Sequence, residues 1–317
     1  MKKPQFLNEL TSIPGSPMPE GGVVHAVTTN DGVRLRAASW RDPGTRGTVV
    51  LVHGRGDFIE RYFETVRDLR ARGFAVTCFD FRGQGGSQRR SSNPYRSSVG
   101  SFSKYEEDLA AVMTSVVLPD CPPPYYLLGH STGALVGLGA LRRRSWFEKA
   151  VLTSPLLGVH TGPWPMAVAR GLARLVPMAG GGSAFLPGYA RRPVVLGGFD
   201  ANPLTSDRKR FERDVRLLLK QPSLGLGGPS FSWLKAAFRH MDDIHRIDRE
   251  TRLKAPVLIV AAGRDRVVNT ESARKFSEKA AAVSFVVIED ALHEILMERD
   301  PIRAQFFAAF DAFLAIK

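Results

Sequence analysis

Six short runs in this chain are apolar almost throughout and end at a glycine or a polar residue: TVVLVHG (48–54), FAVTCFD (74–80), PYYLLGH (124–130), KAVLTS (149–154), APVLIVAAG (255–263) and SFVVIED (284–290). A run without polar alternation suits a strand buried on both faces, and such strands belong to parallel sheets covered by helices. Helical patterns lie between the runs: ERYFETVRDLRARG closed by Gly73, FSKYEEDLAAVMTSVVL (102–118), GALVGLGALRRR, a stretch near 270–281, and a Phe-rich terminal segment (301–316). The alternation predicts an α/β architecture, a mostly parallel central sheet with helices on both faces. Ahead of it, VVHAVTT (23–29) and VRLRAASW (33–40), joined by Asn30-Asp31-Gly32, read as a β-hairpin.

The rhythm fails after Ser154-Pro155 and resumes at Ala255. Residues 156–245 are rich in Gly, Pro, Met and Phe, with helical patterns and no clear buried strand. One α/β domain (21–155 and 246–317) carrying a helical cap or lid insertion (156–245), with an irregular N-terminal arm (1–20), accounts for this order. Gly180-Gly181-Gly182 lacks the Lys-Ser/Thr of a phosphate loop and reads as a flexible turn.

Within this frame, "LLGHSTGAL" places Gly129, His130, Ser131, Thr132 and Gly133 between a strand and a helix. Gly-x-Ser-x-Gly in that context predicts a nucleophile elbow, a turn too tight for bulk two residues before or after the serine. The serine then needs a base, and the base an orienting acid, each following a late strand. Asp265 sits just past APVLIVAAG, and His293 follows SFVVIED. Of seven histidines, only His293 comes after both the acid and a predicted strand. Asp290 is the rival acid but lies too close to His293 in sequence. His25, His160, His240 and His245 fall outside that order, while His53 and His130 sit in the strand-end turns in structural roles. The oxyanion would take backbone N–H groups from Thr132 and from Arg55 in the turn His53-Gly54-Arg55. The Arg55 side chain faces either solvent or an anionic group. Arg55-Gly56-Asp57 carries no adhesive meaning in a buried turn.

These pieces resemble the serine α/β-hydrolases, and several stretches extend the likeness. "FDFRGQGGS" (79–87), with Asp80, Arg82, Gly83, Gly85 and Ser87, is similar to a motif of the monoglyceride lipase and lysophospholipase group. "SPLLGV", "GGPSFSWLK" (227–235) and "HEILMERD" (293–300) resemble the lysophospholipase L2 branch, in the serine aminopeptidase S33-like group. The resemblance spans residues 20 to 317 and implies the α/β-hydrolase fold. It implies a serine esterase that cleaves the acyl ester of lysophospholipids or monoacylglycerols through an acyl-enzyme, with no metal and no organic cofactor. Many relatives have Met after the serine and a second Gly beyond it, where this chain has Thr132 and Ala134. The backbone donor carries over; the pocket shape beside the serine does not.

Composition bounds the alternatives. Net charge is +13, and residues 156–245 hold twelve Lys/Arg against six Asp/Glu. With apolar Trp164, Met166, Val168, Leu172, Leu175, Val176 and Met178, that stretch suggests a cap apolar inside and basic outside. Such a cap would take an acyl chain and associate peripherally with an anionic membrane. Nucleic acid is not expected, because no basic-aromatic motif accompanies the charge. A cap for N-terminal peptide amines would be acidic, and Asp rather than Ser at the elbow would mark a dehalogenase or epoxide hydrolase. A carboxylesterase or acyltransferase on smaller esters stays open, as does an idle hydrolase-fold ligand-binding protein; the oligomeric state is not legible. No run of 18 apolar residues occurs, the start does not read as a signal peptide, and Cys78 and Cys121 make no CxxC, so a cytoplasmic protein is expected, with a peripheral place at the inner membrane face left open.

Overall fold

A computed structural model describes residues 6–315 apart from 92, 94, 97, 98, 163, 189–191, 249 and 251. The six apolar runs all become strands of one eight-stranded sheet, ordered β1-β2-β4-β3-β5-β6-β7-β8. The hairpin β1 (Val23–Thr28) and β2 (Arg34–Trp40) is antiparallel and joins the sheet antiparallel to β4 (Ala75–Phe79). From β4 onward the sheet is parallel, through β3 (Thr48–Val52), β5 (Tyr125–His130), β6 (Lys149–Thr153), β7 (Val257–Ala262) and β8 (Val283–Ile288).

The burial pattern explains the missing alternation. Val50 and Val52 of β3 face one apolar layer, with α2 (Ser103–Val112) and α4 (Thr132–Arg143). Val49 and Leu51 face the other, with α1 (Phe63–Ala71) and, at the chain's end, α9 (Asp300–Leu314). Both faces are buried, so a polar residue on either would lose water without gaining a partner. The predicted 102–118 helix continues α2 through a π-helical turn (Met113–Val117) into the short α3 (Leu118–Asp120). The helix predicted from residue 60 begins as a 3-10 turn, Ile59–Tyr62.

Between β6 and β7 come α5 (Met166–Met178), α6 (Arg208–Lys220) and α7 (Phe231–Ile244); α8 (Thr270–Lys279) then precedes β8. No strand of the sheet comes from that insertion among the described residues. The apolar side of α5 corrects one expectation. Only Ala173 of this helix is buried, while Met166, Val168, Leu172, Leu175 and Met178 are exposed, as is Trp164 just before it. The cap's apolar stripe faces outward, because small Ala169 and Ala173 supply the side that packs on the core. Residues 1–5 of the N-terminal arm lie outside the described residues. The rest of the arm is tied down: Leu7 N–H donates to Gly86 O, Thr11 N–H to Glu60 Oε1, and Ile13 packs with Leu217 and Leu218 of α6.

Candidate active site

Parallel strands bring the ends of β3, β5, β7 and β8 to one edge of the sheet, where the loops that carry chemistry are shared. Ser131 follows β5 with φ +50° and ψ −111°, a strained conformation that the tight turn imposes. The flanking glycines have a steric reason: a Cβ on Gly133 would lie 2.0 Å from Val52 O, and one on Gly129 2.9 Å from Ala134 Cα. Ser131 N–H donates to Thr153 O, and its carbonyl accepts from Leu135 and Leu156. The hydroxyl stands before α4, whose first N–H groups have no partner within the helix.

Ser131 Oγ lies 3.1 Å from His293 Nε2, and His293 Nδ1 lies 2.8 Å from Asp265 Oδ2. The second carboxylate oxygen of Asp265 accepts from Val267 N–H and Val268 N–H, both at 2.8 Å. Three residues predicted from 162 positions of sequence are therefore in one hydrogen-bonded line. Burial works to lower the His293 pKa, but the charge and hydrogen bond of Asp265 outweigh it, and the ring titrates above an ordinary histidine. Burial likewise opposes ionisation of Asp265, yet His293 and the two loop N–H groups hold its pKa down. The rival Asp290 is exposed.

His130 cannot serve as a base. Burial, then the nearby His293, push its pKa down to about 3, and Nδ1 meets Thr153 Oγ1 at 3.1 Å. His53 is buried, donates from Nδ1 to Gly54 O at 2.7 Å, and lies 3.3 Å from Asp80. The remaining histidines are elsewhere: His25 on Ser39, His240 near Glu106, His245 on Leu157 O, and His160 exposed.

The turn after β3 is fixed on every side. Gly54 N–H donates to Asp57 Oδ2 at 3.0 Å, and Gly56 N–H to Gln84 Oε1 at 2.7 Å. These bonds hold the amides on both sides of Arg55. A Cβ on Gly54 would meet Asp57 Oδ2 and His130 Cδ2, each at 2.9 Å. The "FDFRGQGGS" stretch braces this turn: besides Gln84, Asp80 accepts from Ile59 N–H, Gly86 N–H and Arg36 Nε. The Arg55 side chain is half-buried and turned toward the insertion. It donates to Gly227 O and Gly228 O at 2.8 and 2.7 Å and lies over the Trp233 ring, so "GGPSFSWLK" fastens the insertion to this turn.

Sequence reasoning missed one buried ion cluster. Arg61, at the start of the first helix, donates to Asp57 of the β3 turn, Glu294 beside His293, and Asp214 of α6. One guanidinium thus joins the turn, the histidine loop and the insertion. Asp57, against the cost of burial, is held down to about 2 by Arg61, while burial and the neighbouring carboxylates push Glu294 up. Asp57 and Arg61 stand four residues apart, but no motif or spacing announces Asp214 and Glu294, which lie 153 and 233 residues from Arg61. Asp57, His130 and Glu294 have ligand atoms close enough for a metal ion, but the Arg61 guanidinium already donates to both carboxylates. Also unanticipated is Ser154, at φ +41° after β6, with a buried hydroxyl.

A family model described as serine aminopeptidase, S33, matches residues 43–300. The chain belongs to that hydrolase family. It is similar to lysophospholipase L2 of Escherichia coli, 29% identical over 287 residues that cover 86% of this chain and 82% of that one. It is also similar to a monoacylglycerol lipase of Mycolicibacterium smegmatis, 27% identical over 86% of this chain and 91% of that one. Among solved structures, a soluble variant of monoglyceride lipase from Saccharomyces cerevisiae matches at a TM-score of 0.69 and 20% identity, covering 92% of this chain and 96% of that one. That match shows the α/β-hydrolase fold of the family. In this S33 family member, no helix among the described residues is long and apolar enough to cross a membrane.

The Asp265–His293 pair gives the site a testable pH dependence. Asp265→Asn should cut kcat by about 10⁴-fold, the cost of losing the acid that orients the base. With His293 as the base, turnover requires its neutral form, so activity should rise as pH climbs through its raised pKa. With Asn at 265, burial dominates and the histidine pKa falls. The acid limb of the kcat/KM profile should therefore move to lower pH, on whatever activity remains. An acid limb that stays in place would assign it to another group.

Proposed function

We propose that this chain is a serine ester hydrolase acting on the acyl ester of lysophospholipids or monoacylglycerols through an acyl-enzyme. The observation that carries the reading is the line Ser131 Oγ–His293 Nε2–Asp265 Oδ2, at 3.1 and 2.8 Å. His293 Nε2 takes the Ser131 proton as Oγ attacks the ester carbonyl carbon. Charge develops on the carbonyl oxygen, which the backbone N–H groups of Thr132 and Arg55 receive. The alcohol leaves with the proton from His293, and water, deprotonated by the same nitrogen, releases the fatty acid and restores Ser131. Asp265 keeps Nδ1 protonated and stabilises the imidazolium between these steps.

The chemistry uses no metal and no organic cofactor in this reading. The lipid class follows the names of the relatives and suits the insertion, whose exposed apolar stripe and excess of cations fit an anionic membrane surface. In this reading the chain works in the cytoplasm, peripheral at the inner membrane face, a placement that its two free, buried thiols suit. Acid release from lysophosphatidylcholine, lysophosphatidylethanolamine, monoacylglycerol and short p-nitrophenyl esters tests the reading. Turnover of the lipid esters is the expected result. Turnover of the short esters alone would keep the site and move the substrate to a small carboxylic ester.

A further inference from the structure

Helices α5 and α7 enclose a second feature, away from Ser131. A cavity of about 690 Å³ between them is lined by Arg170 and Arg174 of α5, Lys235 and Arg239 of α7, and Arg246 just beyond it. Each helix contributes its cations four residues apart, so each pair stands on one face. Two carboxylates share the groove, and both are already engaged. Asp242 takes Arg170 in a bidentate pair at 2.8 Å for each bond, and Asp243 pairs with Arg246 at 3.0 Å. Arg174, Lys235 and Arg239 have no hydrogen-bond or ion-pair partner among the described residues. Three cations facing one concavity repel one another unless an anion joins them.

The groove does not serve the reacting ester. On α7, Trp233 is buried and lies against Arg55 of the β3 turn, whereas Lys235 and Arg239 are exposed. At 100° per residue, Lys235 and Arg239 fall on the opposite side of the helix from Trp233. A phosphate seated in the groove therefore sits on the outer face of the insertion.

What adjoins the groove chooses its occupant. Around α5 the order is a packed edge (Ala169, Ala173), a cationic edge (Arg170, Arg174), then the exposed apolar stripe. Leu175 and Met178 of that stripe are 62% and 70% exposed, and Met178 also lines the groove. Scattered exposed leucines are ordinary; an apolar stripe along one side of a helix, bordered by cations, is not. A free phosphate compound has no use for the stripe. A phospholipid has its anionic phosphate directly above its acyl chains, which matches the order of the two surfaces.

We propose that the α5–α7 groove binds the headgroup phosphate of an anionic phospholipid in a bilayer, with the α5 stripe against the acyl chains beside it. Arg174, Lys235 and Arg239 are the phosphate ligands. This site lies apart from the ester-cleaving centre, and it rests on the lipid reading of the function only in naming a lipid as the carrier of the phosphate. It holds the enzyme at the surface where its substrate is dissolved.

The full chain is sedimented with phosphatidylcholine vesicles, with and without phosphatidylglycerol. Three variants are compared: Arg174→Ala with Lys235→Ala and Arg239→Ala; a control of equal charge, Lys209→Ala with Arg216→Ala and Arg252→Ala; and Leu175→Ser with Met178→Ser. The chain should bind the phosphatidylglycerol vesicles, and the groove variant should lose roughly a hundredfold in affinity, at about a factor of five for each cation. The control should change by no more than roughly threefold, because a diffuse field is screened at ordinary salt. The stripe variant should also bind more weakly. Equal losses in groove and control variants would assign the binding to net charge and overturn the proposal. So would thermal stabilisation by glycerol phosphate that depends on the three cations without vesicle binding, since the ligand would then be soluble. Loss of a self-associated form in the stripe variant, with vesicle binding unchanged, would assign the stripe to a second copy and overturn the proposal too. Short-ester turnover by all three variants reports that they fold. Wild-type chain that binds vesicles but turns over no ester sinks the hydrolase reading and leaves the groove in place.

Discussion

Ser131→Ala should lower ester turnover by about 10⁶-fold, the scale seen when the nucleophile of an acyl-transfer site is removed. The hydroxyl is the atom 3.1 Å from His293 Nε2, and no other hydroxyl is hydrogen-bonded to that nitrogen among the described residues. A fluorophosphonate probe should label the wild-type chain and leave Ser131→Ala unlabelled. Residual turnover above roughly a thousandth of wild type would move the nucleophile to another residue, because the oxyanion donors alone supply only about 10³–10⁴ over water. The same position makes a stability prediction. At φ +50° and ψ −111° any Cβ is strained, so Ser131→Gly should be more stable than Ser131→Ala by about 1 kcal/mol in thermal unfolding. Turnover and stability then move independently at one residue, as expected where strain serves to expose a hydroxyl.

Arg61→Met should cost about 3–5 kcal/mol, the range for removing one partner of a buried ion cluster. Asp57, Asp214 and Glu294 would remain buried without the cation that each of them now meets. Arg61→Lys should recover little, since one ammonium cannot span three carboxylates in the way a planar guanidinium does. The effect has a pH signature. In the wild-type chain Asp57 is held down to about 2, so its contribution is present above the ordinary carboxylate range and is lost as pH falls toward 2. Without Arg61, burial and mutual repulsion raise the folded pKa values above the unfolded ones. The variant should then gain stability relative to wild type as pH falls from neutral. Denaturant unfolding at several pH values measures this; a gap that does not narrow on acidification would mean the carboxylates are solvated after all. Activity should fall as well, because Asp57 anchors Gly54 N–H in the Arg55 turn and Glu294 adjoins His293.

Some of this molecule was written locally. Five of the apolar runs became parallel strands covered on both faces, which leaves no polar side, and that pattern survives in sequence without reference to its partners; β8, at the sheet edge, exposes Ser284 and Val286. Ser131, Asp265 and His293 were legible because each follows a strand, and a parallel sheet carries every strand end to the same edge. Gly129 and Gly133 were legible because the elbow excludes a Cβ there at 2.9 and 2.0 Å. Arg55 was half legible: its place in the turn followed from the strand before it, but its side chain bonds to Gly227 and Gly228, 172 and 173 residues away.

The tertiary structure alone decided the rest. Arg61 looked like any helical arginine with an aspartate four residues before it, and only packing drew the distant Asp214 and Glu294 to it, since charge attraction between such residues acts through space and leaves no periodicity. The amphipathic α5 was evident from sequence, yet its orientation was not. A helix with two usable faces buries whichever fits the surface beneath it, and here Ala169 and Ala173 fit closely enough to turn the larger apolar residues outward. The sequence determined which residues could do chemistry at a strand end; close packing decided what holds them there and which face of the insertion meets the surroundings.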